Sequence, residues 1–77
     1  MDHDQAIQAR SAGDLIEAVI KPAEDANGWV LMFTTAAGEQ VVYAGHTGTE
    51  KVFHDLDHAT DVAREIGFRS VRVEETF

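Results

Sequence analysis

The sequence predicts a small α+β domain: an antiparallel β-meander of three to four strands, one helix packed on one face of it, and a final strand, in the order β-β-β-α-β. Three observations carry this reading. Short apolar or alternating runs recur from Leu15 to Gly45, separated by turn residues. A single stretch, Ala59 to Ile66, has apolar residues at helical spacing. A last alternating run follows it, from Arg69 to Glu75.

The chain has 77 residues, enough for one domain with one modest core. It divides into residues 1–14, flexible or short helical, and a single α+β domain over residues 15–77. Ala6, Ile7 and Ala9 are the apolar candidates among the polar and small residues up to Gly13, and Asp2 or Asp4 could cap a short helix over "QAIQAR". Such a helix is marginal unless it packs on something.

From Leu15 the pattern changes. "LIEAVIKP" alternates, with Ile16, Ala18 and Ile20 on one face and Glu17, Val19 and Lys21 on the other, and Pro22 ends the strand. "AEDANG" supplies a turn, strongest at Asn27-Gly28, where both residues tolerate positive φ. "WVLMFTT" is apolar throughout and reads as the central strand, with Trp29, Leu31 and Phe33 on one face and Val30 and Met32 on the other. "AAGE" turns the chain through Gly38, and "QVVYAG" gives a third strand ending at Gly45. "HTGTE" is a loop, and "KVF" a possible short edge strand.

The helix begins at Asp55, a natural N-cap. Ala59, Val62, Ala63 and Ile66 form its apolar stripe. Gly67 sits where a left-handed residue ends a helix, and Phe68 is placed to close over Val62 or Ala63. "RSVRVEE" is the last strand, with Val71 and Val73 facing inward. A helix leading into a strand parallel to the one before it calls for a right-handed crossover.

Composition excludes several functions. Fourteen acidic residues against six basic ones give a net charge of −8. That field opposes phosphate-rich partners and anionic membranes, and suits basic protein partners. With no cysteine, the chain has no disulfide, no zinc–thiolate site and no thiol nucleophile, which favours a reducing, cytoplasmic setting. No apolar run reaches the length of a membrane span, and "MDHDQAIQAR" lacks the basic flank and apolar core of a signal peptide.

The most chemical stretch is "VFHDLDHATD", with His54 and His58 four apart among Asp55, Asp57 and Asp61. Two histidines at i, i+4 on a helix can share a metal. With Asp55 as the cap, His54 lies outside the helix and the pair no longer shares a face. Carboxylates in a first turn are what the helix dipole favours in any case. A metal would need His46 or His3 as a third ligand, so none is expected. Thr47, Thr49 and His46 share a loop without forming a triad, and "AGHTGTE" lacks the spacing of a phosphate-binding loop. The expectation is a non-enzymatic domain without cofactor.

Arg64, Arg69 and Arg72 gather half of the basic residues near the end of the helix and the last strand. They are the candidates for nucleic-acid contact, which the net charge disfavours. Trp29, Met32 and Tyr43 are the candidates for protein contact. One helix covers one face of a sheet, and the central strand is apolar on both, so its second face wants a cover.

The runs "IKPAEDANGWVLMFTTAAGEQVVY" and "KVFHDLDHATDVAREIGFRSVRVE" resemble a group of small proteins from proteobacterial plasmids and integrated elements, some labelled plasmid replication proteins. The likeness spans roughly residues 15 to 75 and rests on a GWVL-type strand and an F-x-x-L-x-x-A…G helix. Its residues are Gly28-Trp29, Phe53, Leu56, Ala59 and Gly67. It implies the sheet-plus-helix fold and no catalytic residue. The outline is also similar to the small arm-binding domains of phage-type integrases, which are basic where this chain is acidic. Together these features point to an interaction or regulatory domain that binds a protein partner, or itself, through a sheet face or edge. The alternative is an accessory nucleic-acid-binding or plasmid replication module using Arg64, Arg69 and Arg72.

Overall fold

The structure, a computed structural model, describes residues 1–24, 27–45 and 51–74. Its elements run α1 (His3–Ser11), β1 (Leu15–Pro22), β2 (Trp29–Thr35), β3 (Gln40–Val42), β4 (Val52–Phe53), α2 (Leu56–Ile66) and β5 (Arg72–Val73). The α+β class stands. The layout is richer than the sequence suggested, with a mixed five-stranded sheet and two helices in place of a meander with one.

The sheet is built on the β1–β2 hairpin, paired antiparallel from Leu15–Thr35 to Pro22–Trp29. The turn closes where the Ala23 N–H donates to the Gly28 carbonyl at 2.9 Å. Gly28 has φ +152°, and a Cβ there would sit 2.5 Å from the Phe53 carbonyl oxygen. Only glycine allows β4 to approach this closely. On the other side β5 pairs parallel with β1, at Val19–Arg72 and Ile20–Val73. Since β4 is antiparallel to β2, and β2 to β1, the chain enters α2 from β4 and leaves it into a strand parallel to β4, with β2 and β1 between them.

The regular alternation expected of β1 fails at its start. Leu15 lies opposite Thr35 and Glu17 opposite Thr34, so Ile16 is an extra residue at a β-bulge. The bulge puts Leu15, Ala18 and Ile20 in the core and leaves Ile16 58% exposed. It also overturns the placing of Ile16 on the inner face.

Both helices pack on the same sheet face. Ala6 of α1 and Ala59, Val62, Ala63 and Ile66 of α2 share one core with Ile20, Leu31, Phe33, Phe53 and Phe68. The N-terminal segment is thus helical and is part of the core. Its start is a capping box: Asp2 Oδ1 accepts from the Gln5 N–H at 2.8 Å, and Gln5 Oε1 accepts from the Asp2 N–H at 2.9 Å. At α2, Asp55 caps as expected, accepting from the His58 N–H at 2.6 Å. Gly67 ends the helix with φ +125°. Phe68 then stacks on Phe33, with ring centroids 5.7 Å apart.

Among the described residues no helix lies on the outer face, yet Val19 is fully buried there, between Met32 and Arg72. A chain of polar side chains runs across it. Arg72 Nη2 reaches Glu17 Oε1 at 3.4 Å and Glu74 Oε1 at 3.0 Å; Lys21 Nζ reaches Glu74 Oε2 at 3.6 Å and donates to Gln40 Oε1 at 3.3 Å. Long cationic side chains lay their aliphatic stems over apolar surface while the charged heads stay wet. This face supplies its own cover. Val73 lies opposite Ile20, on the inner side as expected, but at the edge of the sheet it is 36% exposed, while Val71 packs on the core.

Candidate functional site

The sheet separates the three residues singled out for protein contact. Met32 sits on the outer face, half-buried between Val19 and Val42. Trp29 and Tyr43 lie on the inner face, half-buried against the helix-side core. They form no common surface, because residues of opposite parity along paired strands point to opposite sides.

The arginines divide as well. Arg64 is exposed in the last turn of α2. Arg69 and Arg72 line a groove of about 370 Å³ between β1 and the segment leading into β5, and their third partner there is Arg10. The sequence offered no sign of Arg10, whose place depends on α1 packing into the core. Its guanidinium lies 4.6 Å from the Phe68 ring centroid and donates to the Leu15 carbonyl at 2.7 Å. Ile16 and Glu17 form the β1 side of the groove. β5 pairs only with Val19 and Ile20, so among the described residues the Leu15–Ala18 half of β1 has no strand partner on that side.

At the opposite edge of the sheet lies a second groove, of about 480 Å³. Its walls carry His3 from α1, Tyr43 after β3, Phe53 from β4 and His58 from α2, with Asp2 and Asp4 at the rim. The rings form a continuous arc. The His3 and Tyr43 centroids are 5.9 Å apart, Tyr43 and Phe53 5.9 Å, and Phe53 and His58 5.1 Å. A 2.9 Å hydrogen bond joins His3 Nδ1 to the Tyr43 hydroxyl. Burial raises the Tyr43 pKa above its ordinary 10, and the charges of Glu65 and Asp2 push it the same way.

His54 and His58 do not act as a pair. His54 is exposed ahead of the α2 cap, while the His58 ring packs perpendicular to that of Phe53. The structure instead brings His58 together with His3, more than fifty positions away. Among the described residues no group of three His, Cys, Asp or Glu side chains is placed to hold a metal ion. His46, Thr47, Thr49 and most of the "AGHTGTE" loop lie outside the described residues. No helix among the described residues is long and apolar enough to cross a membrane.

No family model matches the chain, and neither the curated proteins nor the solved structures include one detectably similar to it.

Proposed function

We propose that the protein is a non-enzymatic interaction domain that takes an extended segment of a partner protein along the free half of β1. The observation that carries this is the two-residue pairing of β5, which among the described residues leaves Ile16 to Ala18 without a strand partner on that side, with Ile16 58% exposed and the Leu15 carbonyl taken by Arg10. An unpaired strand edge offers main-chain donors and acceptors to an incoming strand, and neighbouring side chains set its specificity. Arg10 and Arg69 line the same groove and favour an acidic segment, while Arg72 there is already paired with Glu17 and Glu74. The edge is favoured over the outer face because the Glu17–Arg72–Glu74–Lys21 chain already covers that face.

The test is a selection of random displayed peptides on the intact protein, followed by amide exchange. Selected peptides should slow exchange at Ala18, and Ile16→Lys should abolish their binding while leaving the melting temperature within a few degrees. Protection elsewhere, or binding indifferent to Ile16→Lys, rules the edge out. Light scattering on the free protein distinguishes a second copy of the chain as the occupant, since edge-to-edge pairing gives a dimer.

A second reading has one observation in its favour: the gathering of three of the six basic residues at this groove. It is the accessory nucleic-acid-binding or plasmid replication module, now resting on Arg69, Arg72 and Arg10, with Arg64 apart. It requires salt-sensitive retention of DNA that falls on replacing Arg69. Absence of binding at low salt removes it.

A further inference from the structure

The groove at the β3–β4 edge carries a site of its own. We infer that it binds the cationic side chain of a lysine or arginine presented by a basic protein segment. Four rings from four separate segments, His3, Tyr43, Phe53 and His58, wall a cavity of about 480 Å³, with Asp2 and Asp4 at its rim. The cavity falls in the size range of small-ligand pockets and has room for one such side chain together with water. Aromatic faces attract cations through the ring quadrupole, and more strongly as water is excluded. The chain already shows that chemistry here, since the Lys51 ammonium lies 5.9 Å from the Phe53 ring centroid.

The local charge points the same way. Asp2 and Asp4 are exposed carboxylates on the groove, and Asp2 and Glu65 both act on the Tyr43 hydroxyl. Against them the groove holds, among the described residues, one cation, Lys51. On a chain of net charge −8 this is a place where an incoming positive group is steered in and meets aromatic walls. Lys51 is then an internal competitor: Phe53 is buried and its ring lies under the Lys51 ammonium, so a ligand's cation meets that ring in place of Lys51 and otherwise meets the half-buried Tyr43 and His3 rings. The site is at the opposite edge of the sheet from the free half of β1, so either reading can fail without the other.

The experiment uses the intact, isotope-labelled protein and three probes, N-acetyl-lysine methylamide, N-acetyl-arginine methylamide and the uncharged N-acetyl-norleucine methylamide. Titration with the two cationic probes should shift the amides of Tyr43, Ala44, His58 and Val62, and the neutral probe should not. Lys51→Ala should tighten binding about threefold, and Asp4→Asn should weaken it by a similar factor, as expected for a cation held at a partly exposed aromatic site. Both replaced residues are exposed, so neither change threatens the fold. The relative response to lysine and arginine probes decides which of the two side chains is preferred. Equal shifts with norleucine overturn the inference, as does a Lys51→Ala variant that binds no more tightly.

Discussion

Tyr43 and Val52 occupy neighbouring positions on one edge of β2, although eight residues of chain separate them. The Tyr43 N–H donates to the Leu31 carbonyl at 2.8 Å, and Val52 pairs with Val30, the next residue along. β3 and β4 are two pieces of a single strand, interrupted by residues 44–51. Joining Tyr43 directly to Val52 keeps the alternation, with Tyr43 and Phe53 inward and Val52 outward. Loop length weighs weakly on stability, so the shortened chain should fold cooperatively and unfold within about 1 kcal/mol of the parent. Denaturant titration checks this, and loss of a cooperative transition would show the two pieces to be separate strands. The same variant should lose the response to cationic probes, since the excised segment holds Ala44 and Gly45 from the groove wall.

The bulge at Ile16 makes opposite predictions for two β-branched residues of β1. Val19 lies on the face without a helix but is fully buried, whereas Ile16 is 58% exposed. Val19→Ala should cost about 2 kcal/mol, the scale of a buried valine side chain. Ile16→Ser should change stability by no more than about 0.5 kcal/mol. Chemical denaturation of the two variants reads the difference, and a reversed order would restore the simple alternation of the sequence.

Gly28 is held by a close approach. Its φ is +152°, and the Phe53 carbonyl oxygen lies 2.5 Å from where an alanine methyl would stand, so Gly28→Ala must push β4 off the end of β2. Strain of this kind costs about 1–3 kcal/mol. The thermal midpoint should fall, and the amides of Val52 and Phe53 should lose protection first. Gly38 has φ +88° but nothing within 4 Å of its Cβ position, so Gly38→Asn should cost much less.

Tyr43 is the one tyrosine of the chain, so its titration can be followed alone by tyrosinate absorbance. The midpoint should lie above 10, because burial first, and then Glu65 and Asp2, disfavour the anion. A folded-state pKa raised above the unfolded one gives stability that is complete below pH 10 and is lost as the pH climbs through the folded value. Comparing the pH dependence of stability in the parent and Tyr43→Phe isolates this contribution. An ordinary midpoint would mean that the hydroxyl faces bulk water and the groove is open there.

The sequence by itself determined the elements whose signals are local. A capped helix start at Asp55, a glycine stop at Gly67 and a turn before Trp29 are written in neighbouring residues, because caps and turns satisfy backbone groups within a few positions. The apolar stripe of α2 and the continuous run of β2 were legible for the same reason. What lay beyond the sequence was set by contacts between distant segments. Nothing near Ile16 announces a bulge, since it is the fit of Leu15 and Ala18 to one core that expels the residue between them. α1 has a weakly amphipathic sequence, and its place is decided by Ala6 packing under α2. That packing in turn brings Arg10 to Arg69 and His3 to Tyr43. His54 and His58 stand close in sequence, but a helix cap turns them apart, and the chain's own folding gives His58 its neighbours in space. Local backbone chemistry has a range of a few residues, whereas burial of apolar surface acts between any residues the fold brings together.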